Sequence, residues 1–406
     1  MKKAILLLLC SLGLSSISFG QEDRDTSAFI QEFKFIPLPV LAANPAVGFM
    51  YGVAPSGSWM MGPTEMTHRS SFVGSVVYTT MNQLLITMKS NVFTKDDKWN
   101  LLGDWRYFIT SQPTFGLGTG PQTSKLVSQG IEYDDGNFTN GIDEAQMMEF
   151  NYFRFHQSAL KRIEDTRFFV GVGYHLDIHS KIEDPLLDLD SVPPTITSHY
   201  GHSIVEGFNP EEYTASGVSI NALYDSRDNA INPYSGRYAF ANLRINPEFL
   251  GSSQSSSMLW LEYRDYFNLD ENRPRHLIGF WAYGNFVTSG SVPYLDLPAV
   301  GWDQFGRSGR AYPQGRFRGE DILYSEVEYR FPLQKEKETF GGVVFANGTT
   351  ASNRNGNIDL FEYVDPGVGL GLRIMLDKNA RTNLTLDYAW GAYGAQGFYL
   401  NVNETF

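Results

Sequence analysis

Short stretches in which apolar and polar residues alternate follow one another along almost the whole chain, and this pattern restricts the fold more than any other feature. Examples are SFVGSVVYT from Ser71, MEFNYFRFHQ from Met148 and TNLTLDYAW from Thr382. A period of two is that of a β-strand with one face against apolar surroundings and the other against water. Turn residues separate the stretches, and no stretch has a clear helical period. The sequence therefore predicts an all-β protein.

The composition favours a β-barrel that spans a membrane. Aromatic residues make up 14% of the chain, which also contains 39 glycines and 22 tyrosines. The mean hydropathy of −0.25 resembles that of a soluble protein. In a transmembrane barrel, however, outward apolar residues alternate with inward polar ones, so that their hydropathies average out. We therefore predict an antiparallel transmembrane barrel.

The first residues, MKKAILLLLCSLGLSSISFG, have the pattern of a secretory signal. Two lysines precede an apolar stretch that is too short to span a bilayer, and Ser-Phe-Gly before Gln21 is a small-x-small cleavage site. Cys10, the only cysteine, lies inside this signal. The mature chain then has no disulfide and no cysteine metal site. The predicted organisation is a signal peptide at 1–20, a short periplasmic segment at 21–45 and an outer-membrane barrel at 46–406.

Several function classes are disfavoured by charge and by residue type. The formal net charge is −13, so we expect no nucleic-acid partner, because such partners require a basic face. His199 and His202 form a possible metal pair but lack a third ligand, and we expect no metal or other cofactor. His156, Ser158 and His175 fall in predicted strands without a carboxylate to orient an imidazole. We therefore predict that the protein is not an enzyme.

Connection lengths alternate between short and long, as they do in outer-membrane barrels. Short connections such as DKNAR and QKEKET alternate with long ones at 184–212, 289–319 and 349–365. Strict alternation requires a weak strand near Leu117–Ser128, and the first strand is placed near Val47–Ala54. The total is about 16 strands, an even number as closure demands. A soluble multi-sheet β protein is the alternative, but it does not explain the difference in loop length between the two sides.

The last predicted strand has an apolar face that suits contact with lipid. Phe398, Leu400, Val402 and Phe406 share this face with Glu404. A terminal aromatic residue is commonly read by the machinery that inserts outer-membrane proteins. Phe398 and Phe406 are therefore a predicted insertion signal, although an aromatic residue at this position also occurs by chance.

Four stretches, taken in order, resemble one family. They are LYDSRDNAINPYSGRY, RAYPQGRFRG, EVEYRFPL followed by VVFANG, and GVGLGLRIML with FYLNVNETF. Together they resemble the bacterial surface antigen family, the barrel superfamily that includes the outer-membrane assembly factors BamA and TamA. The resemblance implies a barrel whose sixth outer loop folds into the lumen.

The first of these stretches resembles the family's hairpin motif on the periplasmic side. Its turn chemistry is sound, because aspartate, asparagine and proline favour turning and glycine supplies a positive φ. An ordinary tight turn remains the alternative. The predicted hairpin residues are Asp225, Arg227, Asp228, Pro233 and Gly236.

The resemblance also implies a lock between the sixth outer loop and the barrel wall. By position the arginine of the loop is Arg310 and its acceptor is Glu328, with Glu326 as neighbour. Ala311 stands where the family usually has glycine, and Asn347 stands where many relatives have aspartate. Solvated arginines on an outer loop are the alternative interpretation. Tyr312 and Arg316 complete the set of predicted lock residues.

The function implied by the resemblance is the movement or insertion of protein or lipid at the outer membrane of a diderm bacterium. BamA-like and TamA-like proteins carry periplasmic POTRA domains, but the 25 residues at 21–45 are too few for one. We therefore predict a barrel-only member without POTRA domains. The predicted partners are outer-membrane lipid, lipopolysaccharide, the outer-membrane insertion machinery and an unidentified client. A passive channel or structural barrel is the alternative.

Overall fold

A computed structural model describes residues 30–44, 48–63, 67–120, 130–140, 145–304, 306–334, 339–379 and 381–406. Its main feature is one antiparallel sheet of 16 strands, in which each strand pairs with the next along the chain. This confirms the predicted all-β fold and strand number. A separate two-stranded hairpin lies in the third outer connection.

The sheet contains β1 (Gln31–Asn44), β2 (Gly48–Met60), β3 (Ser70–Thr79), β4 (Leu84–Phe93), β5 (Trp99–Thr114), β8 (Gln146–Arg162), β9 (Phe168–Glu183), β10 (Tyr213–Asp225), β11 (Gly236–Asn246), β12 (Ser256–Asn268), β13 (Leu277–Gly290), β14 (Asp321–Pro332), β15 (Phe340–Ala351), β16 (Asp365–Asp377), β17 (Thr382–Gly391) and β18 (Gln396–Val402). The small hairpin is β6 (Glu132–Asp134) with β7 (Asn137–Phe138). The helical segments are α1 (Ser198–Glu206) and the 3₁₀ turns Lys95–Asp97, Glu248–Leu250 and Tyr294–Asp296. All of these helical segments are too short or too polar to cross a bilayer as helices.

Side chains on the strands alternate between the lumen and the outer face. On β14, Glu326 and Glu328 are at most 1% exposed, whereas Val327 is 46% exposed. The lumen is packed rather than open on one side, because Phe317 and Trp281 are completely buried there in one aromatic cluster. The connection between β13 and β14, residues 291–320, supplies the inner part of this cluster. We call it loop six, since it is the sixth connection on the outer side.

The sheet begins earlier than the sequence predicted. The strand expected near Val47–Ala54 is β2, and β1 precedes it within the segment expected to be periplasmic. The alternation of β1 is obscured by Pro37 and Pro39, which an edge strand tolerates because one side of its backbone needs no partner. Of the weak strand predicted at Leu117–Ser128, residues 121–129 lie outside the described residues. Residues 117–120 form only an isolated bridge to loop six, so β1 makes up the even number.

Within the described part of the chain, the two edges of the sheet meet without backbone pairing. Among the described residues, none of β1 forms a backbone ladder with β18. An ion pair crosses the seam instead, at the end of the barrel opposite to loop six. There Lys34 Nζ of β1 lies 2.8 Å from Oδ2 of Asp377, the last residue of β16. Strand β18 ends at Val402, and Asn403 has a φ of 69°. This left-handed residue turns the following residues away from the sheet.

Residues 403–406, which we call the inner segment, therefore lie in the lumen. The ring of Phe406 is 3% exposed and its centroid lies 5.4 Å from that of Trp281. Phe406 thus does not share the outer face with Phe398, which is 65% exposed. Alternation along a continued strand predicted otherwise, and the turn at Asn403 explains the difference.

Candidate functional site: loop six inside the barrel

Loop six enters the lumen with its arginines, not with apolar side chains alone. Arg310 and Arg318 are 3% and 1% exposed. Arg318 Nη1 donates to the carbonyls of Tyr294 and Leu295 at 2.8 and 2.9 Å, so this arginine holds the loop's own backbone together. Arg310 instead extends to the barrel wall.

Three carboxylates of the wall surround the Arg310 guanidinium. Its Nη2 donates to Glu326 Oε1 at 2.5 Å and also contacts Glu328, and its Nη1 donates to Asp387 Oδ2 at 2.8 Å. The carbon at the centre of the guanidinium lies 3.4 Å from the centroid of the Phe345 ring. A planar guanidinium suits both kinds of contact, because it presents a fork of donors at its edge and a face for stacking. Glu328 was the predicted acceptor, but Glu326 and Asp387 also accept hydrogen bonds from Arg310.

The local sequence of the wall positions these acceptors. Glu326 and Glu328 point inward because they occupy alternate positions of β14, and Asp387 is an inward residue of β17. Strands β15 and β16 lie between β14 and β17, and β16 carries glycines on its inner face. A Cβ at Gly367 would lie 2.9 Å from the Arg310 carbonyl, and one at Gly371 would lie 1.8 Å from Asp387 Oδ1. These glycines therefore leave the space that loop six and its acceptors occupy.

Arg373, a buried arginine on β16, binds a carboxylate that Arg310 of loop six also binds. Its Nη1 donates to Asp387 Oδ1 at 2.5 Å, and its Nε donates to Glu404 Oε2 of the inner segment at 2.6 Å. On β14, Arg330 Nε donates to Glu328 Oε2 at 2.6 Å. Every one of these carboxylates thus contacts at least one guanidinium. Buried charges are tolerated when they are paired and hydrogen-bonded in this way.

The other predicted lock residues lie beside Arg310. Asn347 Nδ2 donates to the Arg310 carbonyl at 3.1 Å. The Tyr312 hydroxyl donates to the Pro366 carbonyl and accepts from the backbone of Ala392. Ala311 has a φ of 109°, a region that favours glycine. The residue that replaces the family's glycine therefore keeps a backbone conformation suited to glycine.

Two further contacts hold loop six, and the sequence did not indicate them. Arg106 of β5 donates through Nη2 to the carbonyls of Asp303 and Gln304 at 3.2 and 3.1 Å. Arg307 donates through Nη2 to the carbonyl of Val402, the last residue of β18, at 2.6 Å. Every residue has a backbone carbonyl, so the residue types do not indicate which carbonyls accept these hydrogen bonds. Only the three-dimensional arrangement shows them.

Desolvation lowers the pKa of two arginines of loop six. Burial in the lumen lowers the pKa of Arg307 to about 10, and burial likewise lowers the pKa of Arg316 to about 10. Both side chains therefore remain charged at neutral pH. Arg316 lies over the Phe115 ring, with 4.2 Å between its guanidinium carbon and the ring centroid.

The histidine and serine residues considered for catalysis lie in the lumen but do not form a relay. His156 Nε2 lies 2.7 Å from Asp177 Oδ2, whereas His175 Nε2 lies 2.7 Å from the hydroxyl of Ser219, not of Ser158. Asp177 also accepts from the arginines at 154 and 244. The two imidazoles therefore serve different partners, and the carboxylate is engaged by cations. His199 and His202 are buried on α1, and no group of three metal-binding side chains occurs among the residues described.

The predicted hairpin residues form the turn between β10 and β11. Asp225 accepts two hydrogen bonds from the Arg227 guanidinium, at 2.9 and 2.7 Å. Asp228 Oδ1 accepts from the backbone N–H of Tyr234 at 2.9 Å. Gly236 has a φ of 98°, and a Cβ there would lie 2.2 Å from a backbone oxygen, so only glycine fits. Pro233 lies in the same turn, between residues 226 and 235.

Comparison with known proteins agrees with this geometry. Residues 206–406 match the Omp85 superfamily domain, and no curated protein matches the sequence. The structure is similar to that of BamA from Haemophilus ducreyi lacking POTRA domains 1–3, with 12% identity, a TM-score of 0.53, and coverage of 91% of this chain and 68% of that one. It is also similar to CdiB from Acinetobacter baumannii, with 12% identity, a TM-score of 0.51, and coverage of 92% of this chain and 60% of CdiB, which is less than two thirds of that protein. The chain thus has the barrel fold of BamA and CdiB, and its residues 206–406 match the Omp85 superfamily domain.

Proposed function

We propose that this barrel moves or inserts protein or lipid at the outer membrane of a diderm bacterium by opening between β1 and β18. The observation that carries the proposal is the seam between β1 and β18, which has no backbone pairing among the residues that the structure describes. Unpaired backbone groups within a bilayer are costly, so a barrel is normally closed by a ladder between its first and last strands. A seam held by the side-chain pair of Lys34 and Asp377, without a backbone ladder among the described residues, needs fewer contacts to be broken.

Loop six is proposed to hold the wall in shape while the seam opens. Arg310 joins β14 to β17 through Glu326 and Asp387, and β17 pairs with β18, the strand at the seam. Arg307 joins the loop to the end of β18. The lock residues thus act on the movable edge of the sheet through one loop. The Phe398 side of β18 is free to face lipid.

The proposed partners are outer-membrane lipid, lipopolysaccharide, the insertion machinery and a client that moves along the seam. No enzymatic step is part of the proposal. The organisation into a signal peptide at 1–20, a short segment at 21–45 and a barrel at 46–406 is also proposed, with the change that β1 starts the sheet at Gln31.

A reversible bridge across the seam tests the proposal. In the variant with Lys34→Cys and Asp377→Cys, a short bis-methanethiosulfonate links β1 to the wall beyond β18. We expect cells that depend on this variant to show an altered set of outer-membrane proteins or lipids, and a reductant to restore the normal set. The matched control uses Glu32→Cys and Arg69→Cys, because that pair joins β1 to the start of β3 on one side of the seam.

The result distinguishes the proposal from a passive channel. Equal outer-membrane profiles with the seam bridge and with the control bridge would contradict lateral opening. A large steady conductance of the purified barrel in planar bilayers, unchanged by the seam bridge, would favour the channel. Because loop six occupies the lumen, we expect little current.

A further inference from the structure

The turn between β10 and β11, residues 226–235, lies across the mouth of the barrel opposite to loop six. Tyr234 of this turn is 7% exposed and belongs to the aromatic cluster that fills the lumen. Together with Arg330 and Arg373 it lines a small cavity at the inner end of the lumen. The turn therefore reaches inward over the mouth and does not extend away from the barrel. We call residues 226–235 the lid.

One side of the lid is fastened to the turn between β16 and β17. Arg381 Nη1 donates to Asp228 Oδ2 at 2.7 Å, and its guanidinium carbon lies 4.0 Å from the centroid of the Tyr234 ring. Asn232 Nδ2 donates to the Arg381 carbonyl at 3.3 Å. An ion pair, a cation–π contact and a hydrogen bond therefore act together at this side.

The other side of the lid is fastened to two turns far away in sequence. His68, between β2 and β3, places Nε2 3.2 Å from the carbonyl of Arg227 in the lid. Its Nδ1 contacts Asp97 Oδ2 in the turn between β4 and β5, and its backbone N–H donates to Asp97 Oδ1 at 2.8 Å. Even the nearer of these turns, which ends at β5, is separated in the sheet from the lid, which begins after β10, by strands β8 and β9. His68 thus forms a link across the mouth.

The two ring contacts of His68 depend on its protonation state. A carboxylate oxygen and a carbonyl oxygen only accept hydrogen bonds, and a neutral imidazole has one N–H to donate. Both contacts are therefore hydrogen bonds only when the ring is an imidazolium. The charged groups that face it are Asp97 and Asp225, together with the Arg227 guanidinium that Asp225 holds. The Phe93 ring packs against the His68 ring, with 5.0 Å between the two ring centroids.

We propose that residues 226–235 are a movable lid over this mouth, held by an Arg381 latch and a His68 latch, and that the His68 latch opens as the pH rises. The lid then remains fastened at its Arg381 side and swings from there. The mouth is closed against the lumen in acid and accessible in alkaline conditions. This proposal does not depend on lateral opening of the seam.

The direction of the pH effect follows from the surroundings of His68. Burial by itself lowers the pKa of His68, but the hydrogen bond to Asp97 and the negative charges of Asp97 and Asp225 raise it above 6.5. A raised pKa in the folded state means that the latch is complete below the ordinary value of 6.5 and is lost as the pH rises through the raised pKa.

Distances between two spin labels test the lid. The labels are placed at Ile231→Cys in the lid and Glu271→Cys in the turn between β12 and β13, with Cys10→Ser so that any precursor that keeps its signal is not labelled there. In the purified barrel we expect one narrow distance distribution at about pH 5 and a broader one at about pH 8. Asp97→Asn, which removes the facing charge, is expected to shift the midpoint of this change to lower pH.

Further variants separate the two latches. His68→Phe retains an aromatic ring but has no nitrogen to form the latch. The broad distance distribution is therefore expected at both pH values. Arg381→Gln is expected to broaden the distribution at both pH values while a pH-dependent change remains. The matched control is His276→Phe, since His276 is also in a turn at this mouth but bonds to the Tyr329 hydroxyl at 2.8 Å. It is expected to keep the wild-type response.

Two outcomes would overturn the proposal. One is an identical distance distribution at both pH values in the wild-type barrel. The other is a midpoint that Asp97→Asn leaves in place or that His276→Phe shifts as much. Faster migration of unboiled than of boiled protein on a denaturing gel verifies that each variant is folded at each pH.

Discussion

Asp387 joins two arginines that come from different parts of the chain: its Oδ2 accepts from Arg310 Nη1 at 2.8 Å and its Oδ1 accepts from Arg373 Nη1 at 2.5 Å. One arginine belongs to loop six and the other to the wall. The carboxylate is 1% exposed, so neither arginine can exchange it for water. Asp387 is therefore the group through which the loop and the wall are held in one arrangement.

Asp387→Asn should destabilise the barrel more than the loss of one surface ion pair. An amide oxygen still accepts a hydrogen bond, but the two buried guanidinium groups lose a shared charge, and we expect a cost of about 3–5 kcal/mol in the free energy of unfolding. Urea unfolding of the purified barrel measures it. Asp321→Asn is the control, because its partner Arg354 is half exposed and such pairs contribute about 0–1 kcal/mol. Equal losses in the two variants would contradict a shared buried charge.

Arg310→Ala should release loop six while leaving barrel insertion intact. Arg316 and Arg318, now buried, are then expected to become sites for trypsin added outside intact cells. Arg310→Lys should protect only partly, since an ammonium cannot bind three carboxylates and stack on Phe345 at once. Arg354→Ala, on the neighbouring outer connection, serves as control. The lock hypothesis fails if the wild type and Arg310→Ala resist trypsin equally.

Much of this site follows from alternation along strands. The inward direction of Glu326 and Glu328 agrees with strict alternation along β14. The entry of loop six into the lumen and the role of Arg310 were expected from the family resemblance of the stretches RAYPQGRFRG and EVEYRFPL. Asp387 and Arg373 were missed although they also alternate inward. Their relation to Arg310 depends on which strands are neighbours near the seam, and residue spacing within one strand does not contain this information.

The ends of the sheet show where alternation fails. Two prolines interrupt the alternation of β1, so the sequence did not indicate this strand. The left-handed backbone of Asn403 directs Phe406 into the lumen and not to the lipid face. A regular pattern cannot reveal a break that one backbone angle makes. The lid contacts of His68 were likewise out of reach, because they join turns that are 159 residues apart.

Substitutions at Ala311 test whether its positive φ is strained. Ala311→Gly should raise stability slightly, because relief of about 1–3 kcal/mol of backbone strain is partly offset by lost packing and by the entropy of glycine. Ala311→Val should be clearly destabilising, since branching at Cβ adds crowding at positive φ. Ala346, exposed on the outer face of β15, is the control. There we expect valine to be tolerated and glycine to be the worse choice, the reverse of the order at Ala311, and the same order at both positions would contradict strain.

Phe406→Ala distinguishes a packing role from an insertion signal. The Phe406 ring is 3% exposed, and the Arg330 guanidinium carbon lies 5.0 Å from its centroid. Truncation should cost about 3–5 kcal/mol in the unfolding of the purified, refolded barrel, where no insertion machinery is present. Phe398→Ala removes a ring that is 65% exposed to the membrane side and should change this stability much less.

The same two variants in cells complete the comparison. If both aromatic residues are read during insertion, both variants should lower the amount of folded barrel in the outer membrane, although only Phe406→Ala weakens the purified protein. Phe406→Leu fills part of the space beside Trp281 and should recover part of the stability. Equal stability of purified wild type and Phe406→Ala would show that the inner segment does not pack in the lumen, and Phe406 would then be only a candidate signal.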